Sequence, residues 1–218
     1  MGLSLCVGML ADLLKNDEEG AAWLQNNLQS VNEFLASKNL KAHVEPRDCK
    51  VFSCDMFGYS GLHYLRRLAA HLDLYKKLPE PGDESAPDDK ELEEYFDMFD
   101  PDSPPRAFDH LILHSDAEGF YLPQDFDSVL FPPESMEIPG GMIGSCPQLK
   151  KECERIAKEL ELPLDTDPES DELLEATEDQ GQDNSKKYLR YGIESYSLLN
   201  LYNASVHAIE TGAALVFT

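Results

Sequence analysis

The chain has 218 residues, 42% hydrophobic and 28% charged, with 42 acidic against 18 basic side chains and a formal net charge of −24. That length and apolar content suit a single globular domain spanning 1–218. The shortage of Lys and Arg argues against direct phosphate-backbone binding and against attraction to anionic membranes, so neither nucleic acid nor membrane is an expected partner.

Leu3 to Met9 reads as a first strand, apolar on both faces and so central. The apolar run to Leu14 is too short to span a bilayer, is broken by Asp12, and has no basic residue before it as a signal peptide would, so no targeting is expected. Asp17 to Lys38 reads as a long helix: Trp23, Leu24, Leu28, Val31, Phe34 and Leu35 recur at helical spacing, with acids at the positive end. Short extended stretches follow at Ala42–Glu45 and Lys50–Met56. Gly61 to Leu78 predicts a second helix with the stripe Leu62, Leu65, Leu68, Leu72 and Tyr75, Lys76 and Lys77 in its last turn, and Pro79 as its stop. That stripe is expected to pack on a sheet containing Leu111 and Leu113.

From Glu80 to Asp102 there are eleven acidic residues and one base, Lys90. Within this segment Lys90–Phe99 can form a short helix pinned by Leu92, Tyr95, Phe96 and Phe99. Ala107–Ser115 reads as the next strand and Phe120–Leu122 as its extension or partner. Ser145 caps a third helix to about Leu160, with Gln148 completing a capping box. Asp165 to Asp183 holds nine acids and no base, and at most one helical turn at Leu173 and Leu174. The segments 80–106 and 165–184 therefore read as mobile acidic loops or insertions; their acidic runs Glu80–Asp102 and Asp165–Asp183 leave a charge of −5 for the rest of the chain. A last helix runs from Ser185 or Tyr188 to Glu210, Gly212 stops it, and Ala213–Thr218 closes the chain as a strand. Strands mixed with long helices give an α+β (mixed α/β) class: one mixed sheet packed with several helices.

The five cysteines, Cys6, Cys49, Cys54, Cys146 and Cys153, match no zinc spacing and read as reduced thiols of a cytoplasmic protein. The densest set of chemically able side chains runs from Asp109 to Gly119. On a strand, His110 and His114 lie about 13 Å apart and cannot share an ion, whereas His114 and Asp116, about 7 Å apart, can do so if Glu118 or a distant residue turns inward; the expected use is structural, a buried strand end whose His and Asp satisfy loop backbone groups. Arg66 and Arg67 form a pair able to hold an anion or a carboxylate, with salt bridges to nearby acids as the expected use. Gly140-Gly141-Met142-Ile143-Gly144-Ser145 lacks the lysine of a phosphate loop. Asp165 to Asp171 imitates the opening of a calcium loop, but Ser170 and Ala176 stand where its Gly and Glu belong. The run His114-Ser115-Asp116-Ala117-Glu118-Gly119-Phe120-Tyr121-Leu122-Pro123, followed by Gly144-Ser145 at a helix start, resembles a group of uncharacterised bacterial proteins with a His-Ser-Asp-x-Glu-Gly-aromatic-aromatic-x-Pro segment. The resemblance implies a special local structure at His114, Asp116 and Glu118 and names no activity.

The leading expectation is a non-catalytic acidic binding protein for a basic protein partner, in the manner of toxin-neutralising immunity proteins. Asp165, Asp167, Glu169, Asp171 and Glu172, with Arg66 and Arg67, are its candidate contacts. The alternative is a metal-assisted hydrolase centred on His114, Asp116 and Glu118. A third reading, mimicry of nucleic-acid charge to block a DNA-binding protein, shares the chemistry of the first. No cofactor and no resident metal are expected.

Overall fold

The computed structural model describes residues 3–82, 86–101, 103–179 and 185–218. Parts of both acidic segments, 83–85, 102 and 180–184, lie outside the described residues. Among the described residues five short strands form one mixed sheet: β1 (Ser4–Val7), β2 (Phe52–Asp55), β3 (Gly119–Leu122), β4 (Ile143–Ser145) and β5 (Leu215–Phe217), in the order β2-β1-β5-β3-β4. All neighbours are antiparallel except β3 and β4. The α+β class follows.

Side-chain alternation divides the sheet into two apolar faces. Leu5, Val7, Tyr121, Leu215 and Phe217 share one core, while Phe120, Leu122, Ile143 and Val216 belong to the other. The second face is covered by α1 (Met9–Asn16) and α2 (Glu18–Ser37) through Leu10, Leu24, Leu28, Val31, Phe34 and Leu35. Asp17 caps α2, its carboxylate accepting the Gly20 amide at 3.0 Å. Trp23 falls one residue off the buried stripe and is half exposed, contrary to expectation. The expected strand end is also shorter. Gly8, at φ 79°, turns the chain straight into α1, and a Cβ there would meet Cys49 Sγ at 2.8 Å.

Ala42–Glu45 makes no ladder. The Asn32 side chain accepts the His43 amide at 2.7 Å and donates to the His43 carbonyl at 2.9 Å, serving both backbone groups a partner strand would have used.

The first face carries α3 (Gly58–Tyr75), α4 (Lys90–Asp97), α5 (Asp109–Ile112), α6 (Cys146–Leu160), α7 (Asp171–Glu178), α8 (Lys187–Arg190) and α9 (Gly192–Thr211). Leu62, Leu65, Leu68, Ala69 and Leu72 of α3 are buried. Their neighbours are mainly other helices, α9, α4 and α5, rather than a sheet containing Leu111 and Leu113. Lys76 adopts a left-handed conformation (φ 55°), so α3 ends before it, and Lys76 and Lys77 lie past the last turn. Ser145 Oγ accepts the Gln148 amide at 3.3 Å as expected. The reciprocal half of the capping box is absent: the Ser145 amide donates to His110 Nδ1 and Gln148 reaches Asp125.

The last helix is broken in two at Tyr191, whose hydroxyl donates to the Pro79 carbonyl at 2.8 Å. Beyond that break α9 is buried nearly all round, which suits a central helix with helices on several sides. Gly192 opens it against the end of α7. A Cβ there would lie 2.1 Å from the Ala176 carbonyl oxygen. Among the described residues no helix is long and apolar enough to cross a membrane.

Candidate protein-interaction surface

The segment expected to be a strand from Ala107 to Ser115 is instead the short helix α5 and a turn. A distant side chain explains the difference: the Glu152 carboxylate of α6 accepts the buried His110 and Leu111 amides at 3.0 and 2.7 Å, holding the start of α5. The alternation that put His114 and Asp116 on one face therefore does not apply. His114 is buried, its ring stacked on Tyr121 with centroids 3.9 Å apart, and its two nitrogens lie 3.1 Å from the Ser115 and Phe120 carbonyl oxygens. Asp116 points elsewhere, 3.3 Å from His63 Nε2, and Glu118 is exposed. The structure does not bring His114, Asp116 and Glu118 together.

Arg66 and Arg67 are both buried and turned inward. Arg66 donates to the carbonyl oxygens of Leu111, His114 and Ser115, so its donors serve the turn rather than a carboxylate. Arg67 does make the expected salt bridge, to Asp89 at 2.7 Å, and also donates to the Glu80 carbonyl at 2.9 Å.

Asp89 is the anchor of the first acidic segment. It caps α4 by accepting the Glu91 and Leu92 amides, both at 3.1 Å, and lies 3.2 Å from His71 Nε2. Burial pushes its carboxyl up, but hydrogen bonds from Arg67, His71 and the Leu92 amide outweigh that and hold it below its ordinary range. Among the described residues, His71, Asp89 and Glu91 form a cluster of metal-capable donors, with ligand atoms within 4.8 Å of one another. The Arg67 guanidinium and two helix amides already occupy the Asp89 oxygens, which makes this a structural clasp.

The buried histidines give the fold a pH dependence. His110 Nδ1 accepts the Ser145 amide at 3.0 Å while Nε2 faces the Asp127 carbonyl, an arrangement that needs the neutral ring. Burial pulls His110 and His114 each down to about 4. The folded state then binds fewer protons than the unfolded state between about pH 4 and 6.5, so this contribution is complete above 6.5 and lost as pH falls to 4. Each histidine contributes at most about 3 kcal/mol. Glu152 works in the opposite sense, since burial holds its carboxyl well above the ordinary range. The histidine part is isolated by comparison: in urea unfolding at pH 7 and 4.5, His114→Phe is expected to lose stability at pH 7 but to show a smaller drop on acidification than wild type. An equal drop would show that His114 does not titrate in this window.

The five cysteines are free thiols. Burial pushes Cys6 up to about 11 and Cys54 up to about 12, which makes them poor nucleophiles.

The charged candidates lie on the outside. Asp165, Asp167 and Glu169 are exposed on the loop before α7, and Asp171 and Glu172 are exposed in its first turn. Glu169 accepts the Tyr196 hydroxyl at 3.2 Å, and Lys186 bridges Glu172 at 2.7 Å. The described part of this segment is more helical than the single turn expected at Leu173 and Leu174. Leu173, Ala176 and Thr177 are buried, seating α7 on α9 and directing Glu175, Glu178 and Asp179 outward in register with Asp171 and Glu172. Those three acids were not among the expected contacts, although the spacing 171, 175, 178 is a helical one. In α4, Leu92 and Tyr95 face inward and Glu93, Glu94 and Asp97 are exposed.

The two acidic segments meet at the start of α9. Ala86, in the 3-10 turn before α4, clusters with Tyr64 and Ile193, while Gly192 abuts the end of α7. A family model described as "Putative DNA-mimic protein" matches residues 1–217. The chain belongs to that family. Neither a search of curated proteins nor one of solved structures found a match.

Membership in a DNA-mimic family gives the helix geometry a yardstick. α4 and α7 each place four carboxylates in eight residues. At about 1.5 Å of rise per residue that is one negative charge per ~3 Å of axis, against 3.4 Å along one strand of a DNA duplex.

Proposed function

We propose that this member of the DNA-mimic family is a non-catalytic decoy, which lays its acidic face on the DNA-binding surface of a basic protein. The observation that carries the reading is the pair of ordered helices, α4 and α7, each with a strand-like density of carboxylates. Asp165, Asp167, Glu169, Asp171 and Glu172 would stand in for phosphates along one side, continued by Glu175 and Glu178. Because the helices are docked by Leu92, Tyr95 and Leu173, the charges are held in place before the partner arrives, which lowers the ordering cost of binding. The family description favours a DNA-binding partner over the toxin of an immunity pair. Unpaired cysteines and such a partner suit a reducing cytoplasm.

The test uses duplex DNA as the competitor. Proteins of the native cell are bound to duplex-DNA resin at low salt, and the purified chain is added. It is expected to release a basic protein, with release falling steeply as salt rises. A variant carrying Asp171→Asn, Glu172→Gln, Glu175→Gln and Glu178→Gln should associate with the released protein about 10- to 100-fold more slowly while keeping its fold. Failure to release any protein, or equal release by the variant, would sink the reading.

A further inference from the structure

The two edges of the sheet are finished differently. β4, at one end, is covered by Leu130, which exchanges both backbone hydrogen bonds with Ile143, at 3.0 and 2.9 Å. β2, at the other end, has no strand beyond it among the described residues. The register shows which of its backbone groups are open. Ser4 exchanges backbone hydrogen bonds with Thr218 on the β5 side of β1, and the Met56 amide donates to the Leu3 carbonyl. Backbone direction alternates along a strand, so Phe52 and Cys54 bond to β1, while Ser53 and Asp55 turn their amides and carbonyls outward.

Side chains of α9 take the carbonyls at the two ends of this edge. The Tyr196 hydroxyl lies 3.2 Å from the Asp55 carbonyl oxygen and 3.2 Å from a Glu169 carboxylate oxygen, and the Asn200 amide donates to Asp55 at 3.5 Å. At the other end His207 Nε2 lies 2.7 Å from the Lys50 carbonyl oxygen. Between them the backbone amide and carbonyl of exposed Ser53 meet no partner among the described residues. A groove of about 500 Å³ lies here, walled by β2 on one side and by Tyr196, Asn200, Asn203 and Glu169 on the other.

An open edge is a template for another strand, commonly guarded by Pro, Lys or a bulge. Phe52–Asp55 contains neither Pro nor Lys. Its guard against a second copy of the chain is the net charge of −24, which makes two copies repel. The same charge admits a basic chain, for Asp55 and Glu169 both line the groove and are both exposed. Lys50 stands past the far end, so the acidic end is the one beside α7.

We infer that the β2 edge is a strand-addition site, where an extended segment of the basic partner pairs its backbone with Ser53 and sets Lys or Arg side chains beside Asp55 and Glu169. The inference rests on the decoy reading and deepens it: α4 and α7 attract by charge, whereas β2 accepts only a chain in extended form. Main-chain hydrogen bonds supply the affinity there, and the flanking acids choose the side chains.

A ten-residue peptide alternating lysine and threonine, titrated calorimetrically into the full chain, tests this, with hydrogen exchange of the Ser53 amide followed by NMR. Wild type is expected to bind it and to slow exchange at Ser53 by about tenfold or more. A fully N-methylated copy of the peptide, equal in charge but without amide donors, should bind about tenfold more weakly. Ser53→Pro removes the outward amide without touching the β1 ladder, and it should weaken the unmethylated peptide by a similar factor. The four-carboxylate α7 variant should weaken both peptides alike and keep their difference. Slowed exchange at Ser53 in a chain that releases nothing from duplex-DNA resin would support this site and defeat the decoy reading. No binding, equal affinity for the two peptides, or binding without slowed exchange at Ser53 would overturn the site and leave the decoy reading standing.

Discussion

Replacing Arg66 by methionine is expected to destabilise the protein by about 3–5 kcal/mol. The methionine keeps most of the apolar stem, so the loss reports the guanidinium. That group reaches from α3 to the carbonyl oxygens of Leu111, His114 and Ser115, in a turn whose oxygens have left the helical ladder. A buried acceptor left without a donor costs about 1–3 kcal/mol, and Arg66→Met strands more than one. Arg66→Lys should fall between wild type and Arg66→Met, because an ammonium cannot span the separated oxygens as the forked guanidinium does. Urea unfolding at neutral pH measures both. A loss below about 1 kcal/mol in Arg66→Met would mean that water takes over the carbonyls and that the turn is not held by this residue.

Leu68→Ala is expected to cost about 2–5 kcal/mol. Leu68 is wholly buried in α3, among residues drawn from α9, α4 and α5, so the truncation opens a cavity that rigid helices on several sides cannot close. Trp23→Ala is the contrasting control. Trp23 is the largest side chain in the protein, but half of it faces solvent on α2, and its removal should change stability by under about 0.5 kcal/mol. Equal losses at the two positions would show that the sheet's helical layers are packed differently from the arrangement described above.

The parts of the fold legible in the sequence are those in which local pattern and tertiary demand agree. The stripes of α2, α3 and α6 announce buried helix faces, and the apolar runs around β1 and β5 announce interior strands. Where a distant group decides the local structure, the sequence misleads. Leu111, Ile112 and Leu113 look like a strand until Glu152, from another helix, takes up the amides that start α5. Ala42–Glu45 looks like a strand until the Asn32 amide takes its place in the ladder. The candidate surface divides in the same way. Its acidity is plain in the composition, yet α7 offers only Leu173, Ala176 and Thr177 as an inward face, too thin a stripe to separate from a loop. Arg66 and Arg67 advertise charge in the sequence and spend it inside the molecule.

The position of β5 bears on how the chain reaches this state. It is fifth in chain order but third across the sheet, between β1 and β3. Until residues 215–217 are in place, β1 with β2 and β3 with β4 are separate ribbons, each with an unpaired edge toward the gap that β5 fills. Closing the sheet joins Leu5 to Phe217 across nearly the whole chain, a contact that comes late and slowly in folding. On the ribosome, where elongation runs at about 5–20 residues per second, the central rung is delivered only after on the order of ten seconds or more. The nascent protein therefore depends on whatever shields those ribbons during synthesis.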